Sequence, residues 1–296
     1  MAELKIEAAI RLGKTADWVA ITPDAVWVGS TGPNAVSEVD PATNRVTPVE
    51  LPGRPCAGLA ADADHLWVPL CGPVPQLARV GLRSRALDGV FPVGPAAPEG
   101  GIAIGAGSVW LVTDRDGSLA RIDPATGAVT QVIRLPAGSY NPVFANGLVW
   151  VTRVDGAEVT AVDPATGKVA GQVAVGPRPR FVTAGGGAVW TLNQGDGSLS
   201  RVDAGNRAGS PALPLQTPGP GGDIAFADGR VWATMMRTPL TVVDAATRTV
   251  RCQWEGPGGD SLGVGHGAVW LTTLREGTVS RIALKDFPAE CLAPPR

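Results

Sequence analysis

The sequence has little net charge and no long apolar segment, and both absences exclude classes of function. Lys and Arg number 25 against 27 Asp and Glu, which gives a formal net charge of −2 without blocks of like charge. Sequence-independent nucleic-acid binding needs an excess of basic residues, so we expect no nucleic-acid partner. No apolar run approaches the roughly 20 residues that cross a bilayer, and we expect no membrane span. The start, MAELKIEAAIRLG, also lacks the apolar region of a secretory signal peptide.

Turn-forming residues and tryptophan are abundant. The 296 residues include 39 Gly, 27 Pro and nine Trp, against a single Tyr. Hydrophobic residues make up 44% and charged residues 18%. This composition is typical of a globular protein with an ample core and excludes a disordered or collagen-like chain.

Seven of the nine Trp mark an internal repeat, because each follows a glycine-rich or small apolar turn and a Val or Leu. The repeat residues are Trp27, Trp67, Trp110, Trp150, Trp190, Trp232 and Trp270. Their spacings are 40, 43, 40, 40, 42 and 38 residues, a period typical of propeller blades. Only Trp18 and Trp254 fall outside this register.

Each repeat reads as four short strands. Between Gly101 and Pro136, the runs IAIG, VWLVT, SLARID and VTQVIRL are separated by turn residues. The turn DPATG at 123–127 joins the last two runs: Asp can accept backbone N–H bonds, Pro presets φ, and Gly accepts a positive φ. Related turns begin at Asp40, Asp163, Asp203 and Asp244.

The seventh repeat ends after three strands, whereas residues 5–13 align with the outer strand of the fourth repeat at 169–176. The N-terminus should therefore complete the last blade and hide the edges of an open array. We predict one all-β domain over residues 1–296, a seven-bladed β-propeller of four-stranded blades, with a C-terminal tail at 285–296.

The four cysteines suggest two disulfides. If the first hairpin of the second blade turns at residues 63–64, Cys56 faces Cys71 across an antiparallel pair. Cys252, on the outer strand of the sixth blade, could hold Cys291 of the tail. Free buried cysteines are the alternative, and the absence of a Cys/His cluster argues against a zinc or haem site. Disulfides would indicate a periplasmic or secreted protein.

Propellers place ligands at the mouth of the central channel, where the innermost strands begin and the loops after the second strands emerge. The repeat register predicts that the following residues bind ligand there: Asp17, Trp18, Glu99, Tyr140, Asn141, Arg153, Arg178, Arg180, Asn193, Asp223, Met235 and Asp260. The apolar wall would consist of Trp18, Phe181 and the pair Met235 and Met236.

The charges of this set form two arcs. Asp17, Asp223 and Asp260 lie on blades 6, 7 and 1 and are candidate ligands for Mg²⁺ or Ca²⁺, although no cofactor is certain. Arginines and polar groups of blades 4 and 5 lie opposite, which suits a zwitterionic or anionic ligand. Catalytic candidates are Asp223, Asp260, Glu99 and Tyr140. Alternatively, the charges pair with one another or with water and have no further role.

The two histidines, His65 and His266, are expected to be exposed turn residues on the face opposite the mouth. Neither a G-x-S-x-G elbow nor an HExxH motif is present.

The units VWLVTDRDGSLARIDPATGAVTQVIRLP and VWVTRVDGAEVTAVDPATGKVAGQVAVGPRPR resemble YVTN-type and streptogramin B lyase (virginiamycin B lyase) propeller repeats, over almost the whole chain. The lyase resemblance implies elimination on a cyclic depsipeptide, with Mg²⁺, His and Glu at the channel mouth. Where those lyases often carry Glu after Trp-x-Thr, this sequence has Arg153 or Asn193. The YVTN resemblance implies an exported protein of binding function.

Three interpretations of the function therefore remain. The first is an exported, monomeric propeller that binds a small polar or anionic molecule, or a peptide loop of a partner, at the channel mouth. The second is a lyase or hydrolase acting at the same mouth, possible with or without a divalent metal. A purely structural or assembly role is the third reading.

Overall fold

Alternating apolar residues between tight turns form seven antiparallel sheets, which confirms the predicted all-β, seven-bladed propeller of four-stranded blades. The computed structural model describes residues 4–215, 219, 221–235, 238–255 and 259–293. In blades 1 to 6 the strands run outward from the channel in chain order, whereas the outermost strand of blade 7 comes from the N-terminus. None of the helices in this described part of the chain has the length and apolar character needed to cross a membrane.

The strands of the first four blades have the following bounds. Blade 1 contains β2 (Thr15–Ile21), β3 (Val26–Thr31), β4 (Ala35–Val39) and β5 (Val46–Glu50). Blade 2 contains β6 (Arg54–Pro55), β7 (Ala60–Ala61), β8 (His65–Cys71), β9 (Gln76–Gly81) and β10 (Ala86–Phe91). Blade 3 contains β11 (Ile102–Gly105), β12 (Ser108–Val112), β13 (Ser118–Ile122) and β14 (Val129–Arg134). Blade 4 contains β15 (Ser139–Ala145), β16 (Leu148–Arg153), β17 (Glu158–Asp163) and β18 (Lys168–Ala174).

The remaining blades follow the same plan. Blade 5 contains β19 (Pro179–Gly185), β20 (Ala188–Asn193), β21 (Ser198–Asp203) and β22 (Leu213–Pro214). Blade 6 contains β23 (Asp223–Ala227), β24 (Arg230–Met235), β25 (Thr238–Asp244) and β26 (Thr249–Trp254). Blade 7 contains β27 (Leu262–Gly265), β28 (Ala268–Thr273), β29 (Thr278–Ala283) and the N-terminal β1 (Ala8–Arg11). Short helices span Leu274–Glu276, Leu284–Asp286 and Ala289–Leu292.

The ring is closed by both chain ends. Strand β1 pairs with β29, from Ala8 opposite Arg281 to Arg11 opposite Thr278, as predicted, although the paired strand is shorter than residues 5–13. At the other end, Phe287 of the tail packs edge-on against Trp232 and Trp254, which explains the off-register Trp254. Blade 7 is therefore held by the N-terminal strand, and blade 6 by the C-terminal tail.

Both predicted disulfides are present, Cys56–Cys71 and Cys252–Cys291. The hairpin register was predicted correctly for Ala60 and Trp67, but Cys71 lies opposite Arg54 rather than Cys56. The inner strand is interrupted because residues between β6 and β7 bond to the neighbouring blade: Gly58 N–H donates to Gly100 O, and Glu99 N–H donates to Cys56 O. Cys56 still reaches Cys71, with a Cα–Cα distance of 5.7 Å.

The seven repeat tryptophans are almost completely buried in the blades. In four blades the residue opposite Trp on the third strand is Arg, and its guanidinium covers the indole. Arg121, for example, lies 5.6 Å from the centroid of Trp110. This cross-strand Arg adds cation–π attraction to the burial of the ring.

The Asp-Pro turns also join neighbouring blades. Asp123 accepts N–H bonds from Ala125 and Thr126, as the sequence predicts. The carbonyl of the following Pro124 accepts a bond of 2.7 Å from Arg79 of blade 2. Arg121 of blade 3 makes the same bond, at 3.1 Å, to Pro164 of blade 4. The repeated turn therefore fixes a hairpin and accepts a bond from the preceding blade.

Candidate functional site

The innermost strands of all seven blades surround a central cavity of about 360 Å³. Trp18 of blade 1 lies across this channel, because its ring contacts Phe181 of the non-adjacent blade 5 at a centroid distance of 6.3 Å. Trp18 is 6% exposed and has a φ of 61°, at a bulge between Asp17 and Val19. A positive φ is a strained conformation for an aromatic residue, and it aims the indole into the channel.

Four carboxyl groups converge at one end of this channel: Asp17, Glu99, Asp223 and Asp260. Each belongs to the cavity lining or lies one or two residues before it in the chain. Burial and the charges of Glu99, Asp260 and Asp223 raise the pKa of Asp17 well above its ordinary value. The predicted acidic arc is therefore one electrostatically coupled cluster, and Glu99 of blade 3 belongs to it. We call these four residues the acidic mouth.

Asp223 is the most strongly held member. Its Oδ1 accepts the N–H of Ile224 at 2.8 Å, and its Oδ2 accepts the Ser261 hydroxyl at 2.5 Å and the Leu262 N–H at 3.3 Å. Burial raises the pKa of Asp223 to about 6, although these three hydrogen bonds favour the ionised form. Desolvation therefore dominates, and this carboxyl titrates near neutral pH.

Glu99 is the member with the most freedom. Its backbone has a φ of 68°, and its carboxylate accepts no hydrogen bond from the described residues. Burial raises its pKa, the positive charge of Arg180 lowers it, and Asp260 raises it further. Glu99 also lines the second cavity described below.

Asn141 adds an unused acceptor to the channel wall. It is 4% exposed, and its Nδ2 donates to Arg180 O at 2.7 Å, which fixes the orientation of the amide. Its Oδ1 has no hydrogen-bond partner among the described residues. Gly101 permits this close packing, since a Cβ there would lie 3.0 Å from that oxygen. A buried acceptor without a partner is costly, and because this oxygen has almost no accessible surface, it belongs to the packing against Gly101.

The predicted metal ligands Asp17, Asp223 and Asp260 lie at the acidic mouth, where each already accepts protein donors. Among the residues described, no three His, Cys, Asp or Glu side chains are placed to hold a metal ion. Asp223 accepts two backbone N–H groups and the Ser261 hydroxyl, Asp17 Oδ1 accepts the Trp18 N–H, and Asp260 Oδ2 accepts the Leu274 N–H. A divalent ion would compete with these donors, and the metal assignment stays a prediction.

On the basic side, Arg180 and Tyr140 form one unit. The Arg180 guanidinium lies 4.8 Å from the Tyr140 ring centroid, and its Nη2 donates to the Tyr140 hydroxyl at 2.8 Å. That hydroxyl donates to Pro98 O. Burial raises the pKa of Tyr140, so its phenol stays neutral and acts as an anchor. Arg153 is held by Ala137 O and Glu158, whereas Arg178 is exposed.

Two predicted residues do not reach the mouth. Asn193 is fully buried, and its amide bonds to the hydroxyls of Thr191, Ser198 and Ser200 within blade 5. Met235 is 4% exposed and packs in the core, while Met236 lies outside the described residues. The rule that placed them took the position three after each repeat Trp as the start of a loop at the mouth, whereas both residues are still part of their second strands, β20 and β24.

The histidines are half-buried rather than exposed. His65 lies 3.4 Å from both Asp62 and Asp88, and His266 Nε2 bonds to Thr22 O at 2.9 Å. Neither lines the central channel. They lie at the hairpins between the first and second strands of blades 2 and 7, and not at the acidic mouth.

Sequence reasoning missed Arg115 and Ser261. Arg115 lies in the loop after β12 of blade 3, and it lines the second cavity. Ser261 follows the predicted Asp260 and donates to Asp223 of the neighbouring blade. The position next to a predicted mouth residue is the signal that could have found Ser261, whereas Arg115 adjoins no predicted residue.

Comparison with known proteins bears on the fold. No protein-family model and no curated protein matches this chain in sequence. The solved structure of BamB from Moraxella catarrhalis is similar, with a TM-score of 0.69, covering 97% of this chain and 99% of that chain. The two sequences are 14% identical, so the likeness concerns the propeller architecture and carries no function.

Proposed function

We propose that this protein is an exported β-propeller that binds a small polar molecule, or a loop of a partner protein, at the acidic mouth, through a positively charged group. One observation carries the proposal: four carboxyl groups converge at one end of the same channel. An amine or guanidinium would relieve the repulsion among the carboxylates.

The geometry favours a cation over an anion at this position. Burial raises the pKa values of Asp17, Glu99 and Asp223 by disfavouring their charged forms, and a bound cation would stabilise those charged forms. Arg180 is already engaged by Tyr140, and Arg54 acts on Glu99 only through its charge. Trp18 and Phe181 provide an aromatic floor for an alkylated cation.

The export part of the proposal rests on the two disulfides, because such bonds persist mainly in oxidising compartments. Kinship with YVTN-type or streptogramin B lyase propellers is likewise a proposal, supported by the repeated DPATG turns and the Trp period.

Calorimetric titration with alkylamines and alkylguanidines tests the function. Binding should weaken as the pH falls through about 6, because Asp223 then takes up a proton. Asp260→Asn should weaken binding, while Asp24→Asn, in the exposed turn between β2 and β3, serves as the matched control. Equal binding of neutral isosteres, or no effect of Asp260→Asn, would contradict the proposal.

The lyase or hydrolase alternative is favoured by one observation, the pKa of about 6 at Asp223, which suits a general base near neutral pH. Such an enzyme would act without the predicted metal set. Turnover of a cyclic depsipeptide that persists in EDTA and disappears in Asp223→Asn would favour this reading over the binding module.

A further inference from the structure

A second cavity, of about 730 Å³, opens beside the acidic mouth between blades 3 and 4. Its volume lies within the range of small-molecule sites, roughly 300 to 1,000 Å³. Small apolar residues supply much of the lining, namely Ala96, Ala97, Pro98, Ala137 and Val154. We refer to this cavity as the blade 3–4 cleft.

Three guanidinium groups border the cleft, from Arg115, Arg153 and Arg180. Arg180 is fixed by stacking on Tyr140, and Arg153 by bonds of 3.0 Å to Ala137 O and 3.1 Å to Glu158. The side chain of Arg115 is exposed and makes no hydrogen bond or ion pair within the part of the chain that the structure describes, whereas its carbonyl accepts the Gly138 N–H at 3.1 Å. Two arginines are thus held in place before any ligand arrives, which reduces the entropy lost on binding.

The cleft has a different charge balance from the acidic mouth. Its acidic residues are Glu99 and Asp155, against three arginines. Glu99 stands between the two cavities and acts on Arg180 through space. Glu158 also pairs with Arg153 at 3.1 Å, so the guanidinium without a close acidic partner among the described residues is that of Arg115. This charge beside an apolar floor favours an anion with a hydrocarbon body over an inorganic ion, which would leave the floor uncovered.

We infer that the blade 3–4 cleft binds a carboxylic acid with an apolar body. The carboxylate pairs with the guanidinium of Arg115 beside the prearranged Arg153, because an arginine fork matches a carboxylate in shape and charge. The hydrocarbon part lies on Ala96, Pro98 and Val154. This site is separate from the acidic mouth and stands even if the mouth binds nothing.

The chain contains a single tyrosine, Tyr140, and it lines this cleft. Full-length protein labelled with 3-fluorotyrosine therefore gives one ¹⁹F resonance that reports on the cleft. Hexanoate and phenylacetate should shift this resonance in a saturable manner. Hexanamide and phenylacetamide, which keep the shape but lack the charge, should not. Equal shifts by the amides, or a response to inorganic phosphate as strong as that to the carboxylates, would overturn the inference.

Two charge variants sharpen the test. Arg115→Gln should weaken carboxylate binding roughly tenfold, as expected for the loss of a charged hydrogen bond. The control Arg45→Gln, at an exposed arginine of blade 1 that does not line the cleft, should leave the affinity unchanged. An Arg115→Gln protein that binds as tightly as the parent would refute the assignment.

Glu99→Gln and Asp260→Asn separate this inference from the proposed function. Removing the Glu99 charge should strengthen carboxylate binding in the cleft and weaken amine binding at the mouth. Asp260→Asn should affect amines alone, because Asp260 does not line the cleft. Parallel losses of both ligands in Glu99→Gln would show that the two cavities are not distinct sites.

Discussion

Asp223→Asn tests whether burial governs the ionisation of the acidic mouth. The carboxyl has an ordinary pKa of 3.8 and one of about 6 in the folded protein. At about 1.36 kcal/mol for each pKa unit, this separation corresponds to about 3 kcal/mol. The folded state holds the proton longer than the unfolded chain, so stability falls as the pH rises from about 4 to about 6 and stays reduced above that range.

The variant isolates this effect because asparagine keeps the shape and does not titrate. Its amide disturbs the bonds to Ser261 and Leu262, but that offset is the same at every pH. The free energy of unfolding of Asp223→Asn minus that of the parent should therefore increase by about 3 kcal/mol between about pH 3.5 and about pH 7.

Urea denaturation at a series of pH values measures this difference directly. Asp123→Asn is the control with the opposite sign: backbone N–H bonds, first from Thr126, lower the pKa of Asp123, so its carboxylate stabilises the fold at neutral pH and loses that effect in acid. A pH-independent difference for Asp223→Asn would refute the desolvation argument.

Three further perturbations address the scaffold. Cys56→Ser should lower the free energy of unfolding by roughly 2–5 kcal/mol. Mass spectrometry of protein from an oxidising compartment checks the bridges, and free thiols at all four cysteines would exclude both. Deleting residues 1–13 should lower the melting temperature strongly, because the edge of blade 7 loses its outer strand; an unchanged value would contradict closure by that strand. Arg121→Ala should lower the free energy of unfolding, measured by chemical denaturation, by about 1–2 kcal/mol, because it removes the bond to Pro164 and the stacking on Trp110. An unchanged free energy would show that water replaces the inter-blade bond.

The architecture was predictable because its signals are local and repeated. The Trp period set the blade register, and each Asp of the DPATG turns accepts the backbone bonds that its side chain favours. Closure by the N-terminus followed from a missing strand, and the Cys56–Cys71 bridge from hairpin geometry, although Cys71 lies opposite Arg54. The interruption of the inner strand of blade 2 was not predictable, because it arises from bonds to blade 3.

The site was predictable only in part. The repeat register located Asp17, Glu99 and Asp223 near one channel, since Glu99 precedes β11, Asp223 begins β23, and Asp17 lies near the start of β2. It failed for Asn193, because β20 extends through this residue and buries it. Trp18 lies across the channel because its backbone has a positive φ at a bulge. Tertiary packing, and not the local sequence, fixes this backbone conformation.

The hydrogen bond from the arginine of one blade to the Asp-Pro turn of the next bears on how a ring can be assembled from copies of a single blade. Blade 3 carries both partners of that bond, accepting at Pro124 and donating from Arg121. A tandem duplicate of this blade would find a matching neighbour on either side, its own copy included. Gene duplication could then add blades without new contacts having to evolve, and blade 3 is the natural module for designed rings of other sizes.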